Sequence, residues 1–334
     1  MTWLAWRQFR TQALAALVVV VAVATGYGAT GVQLHDLAKA SGYPACITVG
    51  RCHAFISAVQ ASGRYQFLYS AGTVLVYGAP ALIGIFWGAP LVARELESGS
   101  FRLLWTQSIS RTRWLTVKLV LIGVAAMITA ELLTLVVTWW CAPIDAVGGI
   151  GMGAYRFSPL QFGARGIVPL GYAAFAVSLG VAVGLVVRRT LPAMAVTFAV
   201  FLAVQVVVPI WIRPHLAAPV VRSVSITGRP MNIQISDPGQ MLVMSTDPPL
   251  GAWTLSEVNR DATGHLISLR ATDACLQESP DACTEYVLRL HLTEELSYQP
   301  ANRYWPFQIY ETGIFLALSL ALAGFSTRRV NRIA

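Results

Sequence analysis

Six long apolar runs, separated by polar stretches, constrain this chain more than any other feature of its sequence. Each run holds about 20 residues, the length that a helix needs to cross the hydrocarbon core of a bilayer. Hydrophobic residues make up 55% of the 334 residues and charged residues only 12%, which is about half the charged share of a soluble domain. The pattern therefore predicts an α-helical polytopic membrane protein. The six predicted transmembrane helices are 13–34, 66–91, 115–140, 166–187, 191–211 and 306–327.

The basic residues between the apolar runs predict the orientation, because short loops rich in Lys and Arg stay on the cytoplasmic side. If both termini are cytoplasmic, twelve basic residues lie inside and five outside, leaving aside 212–305. The inner residues are Arg7, Arg10, Arg94, Arg102, Arg111, Arg113, Lys118, Arg188, Arg189, Arg328, Arg329 and Arg332, and the outer ones are Lys39, Arg51, Arg64, Arg156 and Arg165. The net charge of +8 is thus an orientation signal, and nucleic acid is not an expected partner.

The stretch 212–305 has the composition of a soluble domain. Alternating apolar and polar residues at 220–226, 231–235 and 286–292 predict half-buried strands. Turn signals at 237–239 and 247–249 separate them. The sequence predicts a small β-rich extracellular insert between the fifth and sixth spans.

The loop 92–114 is the largest cytoplasmic feature that this topology predicts. Phe101, Leu104 and Trp105 are spaced to form one apolar stripe on a helix, and Gly99 marks a break before it. Such a stripe either lies flat on lipid or docks in a groove of a cytoplasmic partner.

Two motifs resemble one family of membrane proteins. Arg94-Glu95-x-Glu97-x-Gly99, followed by the segments 103–107 and 110–118, is similar to the intracellular loop of type-2 ATP-binding-cassette (ABC) exporter permeases of bacteria. The segment 298–308, before the last span, resembles one bacterial branch of that family. The resemblance implies that a separate ABC ATPase subunit contacts this loop. The residues it assigns to that contact are Arg94, Glu95, Glu97, Gly99, Phe101, Arg102, Leu104 and Trp105.

The same resemblance implies further partners and a location. It implies a second permease copy or homologue, a bacterial plasma membrane, and no cofactor on this chain, with ATP and Mg²⁺ on the ATPase. The implied cargo is amphipathic, namely an antibiotic, drug, peptide or lipid. Residues 1–12 predict an amphipathic helix in the cytoplasmic interface, and 328–334 predict a cytoplasmic tail. The resemblance implies that this helix contacts the ATPase, and a plain anchor in membrane lipid is the alternative. Because Ala22-Val23-Ala24 resembles a signal-peptide cleavage site, removal of the N-terminal segment is the alternative to its retention.

Polar residues inside the predicted spans are candidates for the substrate pathway. Glu131 lies near the middle of the third span, and Thr134 shares its helical face. Gln205 lies in the fifth span and Glu311 in the sixth. Such groups either line a wet cavity or bond to a neighbouring helix. If Glu131 titrates during transport, an ion-coupled transporter is the alternative mechanism.

The five cysteines form no metal-binding pattern. Cys46 with Cys52 and Cys275 with Cys283 are close enough to form disulfides in an oxidising compartment, although sequence alone leaves the pairing open. The chain also lacks the P-loop and the common hydrolase motifs, so we expect a transporter subunit rather than an enzyme. A membrane-anchored sensor or assembly protein, acting through the extracellular domain, is the alternative function.

Overall fold

A computed structural model of the chain describes residues 2–43, 45–46, 52–99, 110–147, 156–227, 232–236, 240–244, 249, 251–270, 275 and 280–332. The chain divides into two compact units. The helical unit comprises Met1–Arg213 and Trp305–Ala334, and the insert unit comprises Pro214–Tyr304.

Six helical segments of the described residues are long and apolar enough to cross a membrane, as the hydropathy pattern predicts. They are Phe9–Ala40, Gly63–Glu97, Arg111–Ala146, Val168–Val187, Thr190–His215 and Ala301–Asn331. Most of them extend beyond the apolar run that identified them. A helix satisfies its own backbone hydrogen bonds, so polar residues at the membrane interface can continue it without a break.

The helical unit is built from nine α-helices in its described residues, eight before the insert and one after it, with two π-helical turns inserted. The first eight are α1 (Thr2–Ala40), α2 (His53–Ala61), α3 (Gly63–Ile83), α4 (Ala89–Glu97), α5 (Arg111–Ala146), α6 (Pro159–Gly163), α7 (Val168–Val187) and α8 (Thr190–Val207). The π-helical turns are Gly84–Gly88, between α3 and α4, and Val208–Ile212, after α8. The last spanning helix, Tyr304–Asn331, follows the insert and is called α10 below.

The N-terminal helix differs from the expectation of a separate interfacial helix over residues 1–12. α1 runs without interruption from Thr2 to Ala40. The chain has neither proline nor glycine between Thr2 and Thr25, and these are the residues that most often end a helix. The segment 2–12 is therefore continuous with the first spanning helix, and its location in the membrane interface stays a prediction.

Helix α7 lies at the centre of the helical unit, and almost all of its residues are buried. Glycines set its contact with the α3–α4 segment. A Cβ atom at Gly180 would lie 2.6 Å from the amide nitrogen of Ala89 and 2.7 Å from the carbonyl oxygen of Gly84. A Cβ atom at Gly184 would lie 2.9 Å from the carbonyl oxygen of Ala89. Two pairs of glycines spaced four apart, 84 with 88 and 180 with 184, thus let two helix backbones touch. We call this contact the glycine crossing.

Prolines within the spans leave carbonyl groups that neighbouring helices satisfy. Pro90 lacks the N–H that would serve the carbonyl of Phe86, and Gln12 Nε2 donates to that oxygen at 3.2 Å. Pro209 likewise frees the carbonyl of Gln205, to which the Tyr77 hydroxyl donates at 3.1 Å. Side chains from other helices therefore replace the missing backbone donors, as proline inside a membrane helix requires.

The insert unit contains two three-stranded antiparallel sheets in its described residues. The strands are β1 (Val220–Ser225), β2 (Asn232–Ser236), β3 (Gln240–Met244), β4 (Trp253–Arg260), β5 (Leu269–Arg270) and β6 (Thr293–Gln299). The sheet orders are β1-β6-β4 and β2-β3-β5. Asn259 on β4 joins the sheets, because its amide donates to the carbonyl of Val243 at 2.8 Å and accepts from the Val243 N–H at 2.9 Å. The predicted β-rich insert is thus present.

One predicted strand of the insert is wrong. The segment 286–292 was expected to be extended, whereas Pro280–Arg289 forms helix α9 and β6 begins only at Thr293. Proline in the first helical turn and the acidic Asp281 after it are helix-start signals. Cys283 and Val287, four residues apart, are both buried in the core of the insert. The apolar residues therefore follow a helical period, which a seven-residue alternation obscured.

Candidate functional site

The end of α4, where the predicted coupling segment begins, is joined to α5 by a buried ion pair. Lys118 Nζ donates to Glu95 Oε1, and the two side chains are 5% and 13% exposed. The Lys118 ammonium also lies 4.7 Å from the ring centroid of Trp114, one helical turn earlier. Removing one member of such a pair leaves a buried charge uncompensated. The first predicted coupling carboxylate is thus held inside the chain.

The second coupling carboxylate joins α4 to the start of α8. Glu97 Oε2 accepts from the backbone N–H of Thr190 at 2.9 Å and from the Thr190 hydroxyl at 2.6 Å. A carboxylate at this place satisfies an unpaired N–H and the positive end of the α8 dipole. The preceding turn is tight, because Arg188 ends α7 in the left-handed region at φ 57°. We call the Glu95 and Glu97 contacts the two clasps.

Of the other predicted coupling residues, two are described by the structure and four are not. Arg94 is exposed. Gly99 has φ 72°, a conformation that favours glycine and ends α4 as the sequence predicts. Phe101, Arg102, Leu104 and Trp105 lie outside the described residues, so their role stays a prediction.

Glu311 belongs to a buried charge cluster in the helical unit. Arg213 forms a two-pronged contact with it, Nε to Oε2 at 2.8 Å and Nη2 to Oε1 at 3.0 Å. The Tyr172 hydroxyl of α7 donates to the same carboxylate. Arg213 is 0% and Glu311 1% exposed, and the guanidinium lies 4.0 Å from the ring centroid of Phe162. This cluster ties the end of the fifth span to α7 and α10.

The sequence interpretation missed Arg213, which it assigned to the extracellular stretch 212–305. The compact insert begins only at Pro214. A usable signal was present, since Arg213 directly follows an apolar run and Glu311 lies inside the last span. A charge buried in a membrane helix needs a partner of opposite sign.

Gln205 lies beside this cluster, but its side chain is unsatisfied. It is 5% exposed, and neither its amide nitrogen nor its amide oxygen has a partner among the described residues. Tyr77, which bonds the Gln205 carbonyl, has its ring 6.3 Å from that of Tyr172. Arg213 Nη1 is also unpartnered within the described chain. Buried polar atoms of this kind commonly bond to water or to a ligand.

Glu131 and Thr134 lie on α5 and do not join that cluster. No hydrogen bond or ion pair of the described residues connects them to Gln205 or Glu311. Thr134 donates to the carbonyl of Ala130 in its own helix at 2.7 Å. Glu131 is half-buried, and its Oε2 has no partner in the part of the chain that the structure describes. The four predicted pathway residues therefore occupy two separate places.

A second charge cluster ties α5 to α3 and to the segment before α7. Arg165, predicted as an outer orientation signal, is 5% exposed. Its Nε donates to Asp145 at 2.9 Å, and its Nη2 donates to Thr73 at 3.2 Å. Tyr69 donates to the other oxygen of Asp145 at 2.7 Å. Arg165 is thus a buried structural residue, and its role as an orientation signal stays a prediction.

The cysteines form the two short loops that the sequence left open. Cys46 is bonded to Cys52 and Cys275 to Cys283, and Cys141 is a free, buried thiol. Within the described residues, no group of three or more His, Cys, Asp or Glu side chains is arranged to hold a metal ion.

Six membrane-length helices among the described residues, with charged pairs buried between them, define a multi-pass α-helical membrane protein. Residues 14–213, more than half of the chain, match the model of the ABC-2 membrane transporter related family, and the chain belongs to that family. It is therefore a permease of an ABC transporter, as the coupling motif indicates. Neither the curated proteins nor the solved structures gave a match.

Proposed function

We propose that the chain is the transmembrane subunit of an ATP-driven exporter. A separate ABC ATPase binds ATP and Mg²⁺ and contacts the segment 92–114 from the cytoplasm. A second copy or a homologue of this chain completes the transporter. Family membership supports the permease role, and the distribution of basic residues supports cytoplasmic termini with the insert outside.

The observation that carries the proposal is the attachment of the coupling segment to the helical unit. One clasp joins Glu95 to α5, the other joins Glu97 to α8, and the glycine crossing joins the start of α4 to α7. A displacement of α4 would therefore move three spanning helices together. Rigid displacement of packed helices is an established way to open and close a binding site.

The proposed cargo is an amphipathic antibiotic, drug, peptide or lipid moved outward. The buried amide of Gln205, which has no partner among the described residues, supports a site with a few polar groups in apolar surroundings. Sites for amphipathic ligands have this composition, mostly apolar walls with a small number of placed polar groups.

The test is co-purification of the ATPase from membranes of the native host. Arg94 is exposed and close to both clasps, so Arg94→Glu changes the surface charge and leaves the clasps in place. We expect an ABC-type ATPase, identified by mass spectrometry, to accompany the wild-type chain and to fall severalfold with Arg94→Glu. The control is Arg222→Glu, an exposed arginine on β1 of the insert, which should retain the ATPase.

A second variant separates binding from coupling. Glu97→Gln weakens the clasp to Thr190 without removing the neighbouring surface residues. We expect the ATPase to remain bound while transport per ATP hydrolysed falls. Absence of any ABC-type ATPase from the wild-type preparation would contradict the proposed function.

A further inference from the structure

A surface groove lies between α1 and α3 in the helical unit. Its volume is about 460 Å³, and its walls are almost entirely apolar. Both helices pack against α5 through one cluster that includes Tyr27, Tyr69 and Val137. At the groove, the hydroxyl of Tyr27 donates to the carbonyl of Leu68 at 2.8 Å. The volume falls within the range of roughly 300–1,000 Å³ that small-molecule sites occupy.

Small residues of α1 create the depth of this groove. Gly26 lies at its middle and Ala22 and Thr30 lie toward its two ends. A Cβ atom at Gly26 would meet nothing within 4 Å. From residue 22 to residue 30, a helix rises about 12 Å. The opposite wall includes Phe67, whose side chain is 70% exposed. The groove is apolar and open to the protein surface along its length.

Among the residues that line the groove, Arg64 carries a positive charge and lies at one end. Phe9 packs against Trp87, whereas Tyr27 reaches Leu68, so α1 and α3 run antiparallel. Arg64, one turn before Leu68, therefore lies at the Thr30 end of the groove, near the start of α3. It is exposed and has no hydrogen bond or ion pair to the described residues.

We propose that this groove binds an anionic phospholipid of the membrane. The phosphate meets the Arg64 guanidinium, and one acyl chain lies along the groove past Gly26 toward Ala22. An anionic headgroup is favoured because no carboxylate of the described residues forms an ion pair with the Arg64 guanidinium, and a guanidinium is well suited to bind phosphate. Contact between the apolar walls and an acyl chain is favourable, whereas a polar ligand would lose its hydrogen bonds to water there. The inference is independent of the transport function and of the transporter's partners.

The experiment measures lipid retained by the purified full-length chain, by native mass spectrometry in detergent. Dioleoyl phosphatidylglycerol and dioleoyl phosphatidylcholine are added as an equimolar mixture. We expect the wild-type chain to retain the anionic lipid preferentially. Arg64→Gln should reduce that preference by about fivefold, the effect of one basic residue near an anionic surface.

Gly26→Leu tests the acyl-chain groove, and Gly28→Leu is its matched control. Both glycines lie on α1 with nothing within 4 Å of a Cβ atom, but only Gly26 lines the groove. We expect Gly26→Leu to lose the retained lipid and Gly28→Leu to keep it. Equal retention of the two lipids by the wild-type chain would overturn the proposal. Lipid retention by Gly26→Leu equal to that of Gly28→Leu would also overturn it. So would a variant that changes only the self-association of the chain, since that result would assign the groove to a second copy.

Discussion

At the scale of single residues, the buried pair of Arg213 and Glu311 shows how opposite charges can be held inside the helical unit. Each carboxylate oxygen accepts from the guanidinium, and Tyr172 supplies a third donor. The pair joins helices that are far apart in sequence. The contribution of the pair to stability is best measured by comparing single and double variants, because desolvation offsets much of the attraction between two buried charges.

We predict that Glu311→Gln lowers the free energy of unfolding by about 3–5 kcal/mol, because it leaves Arg213 buried without a counter-charge. The double variant Arg213→Gln with Glu311→Gln should cost less than the sum of the single changes. Denaturation of the purified chain in detergent gives these values. The exposed pair of Arg289 and Glu285 is the control, since breaking it should cost about 0–1 kcal/mol. Additive single effects would show that the buried charges are not coupled.

The insert unit carries a carboxyl group that should titrate near neutral pH. Burial, and then the hydrogen bond and repulsion with Glu294, raise the pKa of Glu257 from 4.5 to about 7. Stability conferred by this proton is complete below the unfolded pKa and is lost as pH rises toward 7. Arg260 holds the pKa of Glu295 below its usual value, so Glu295 stays ionised over that range.

We therefore predict that the insert is less stable at pH 8 than at pH 5. Amide hydrogen exchange of β4 and β6, corrected for the intrinsic dependence on pH, should be faster at the higher pH. Glu257→Gln should remove most of that difference, whereas Glu285→Gln, an exposed carboxyl on α9, should leave it unchanged. An unaltered profile in Glu257→Gln would assign the titration to another group.

At the scale of secondary-structure elements, the glycine crossing is the tightest helix contact that α7 makes with the α3–α4 segment. We predict that Gly180→Val destabilises the chain by about 1–3 kcal/mol or more, because the new side chain meets backbone atoms that cannot move aside. Gly123→Val on α5 is the control, since a Cβ atom there has nothing within 4 Å. Thermal unfolding in detergent compares the two. Equal melting temperatures would mean that the helices separate at little cost.

Hydropathy was sufficient to locate the six helices, since a spanning helix needs one long apolar run and little else. It could not predict their ends, because helices such as α5 continue through polar residues including Arg111 and Arg113. The strand prediction for 286–292 was wrong because seven residues are too few to distinguish the two-residue period of a strand from the 3.6-residue period of a helix. Glu311 was identified and Arg213 was not, since the pairing depends on how three distant helices pack. The four-residue spacing of the glycines in the glycine crossing is visible in the sequence. Which two helices these glycines bring together is not.

At the scale of the whole molecule, the clasps and the glycine crossing connect one short helix to three spanning ones. The first clasp joins α4 to α5 and the second joins it to α8. Helix α7 contacts the start of α4 at the glycine crossing, and its Tyr172 donates a hydrogen bond to Glu311 of α10. Contact at the end of α4 is therefore linked through packed helices to the buried charge cluster. This arrangement is useful for transport only if the end of α4 and the ATPase are on the same side of the membrane.

That condition gives the last prediction, which concerns orientation. We predict that Ala262→Cys, in the exposed turn after β4, reacts with a membrane-impermeant maleimide in intact cells. Arg94→Cys should react only after the cells are permeabilised. The wild-type chain is the control, because its free thiol, Cys141, is buried and its other cysteines are in disulfides. Labelling of Arg94→Cys but not of Ala262→Cys in intact cells would place the coupling segment outside. No cytoplasmic ATPase could then act on it, and the exporter proposal would fail together with the predicted topology.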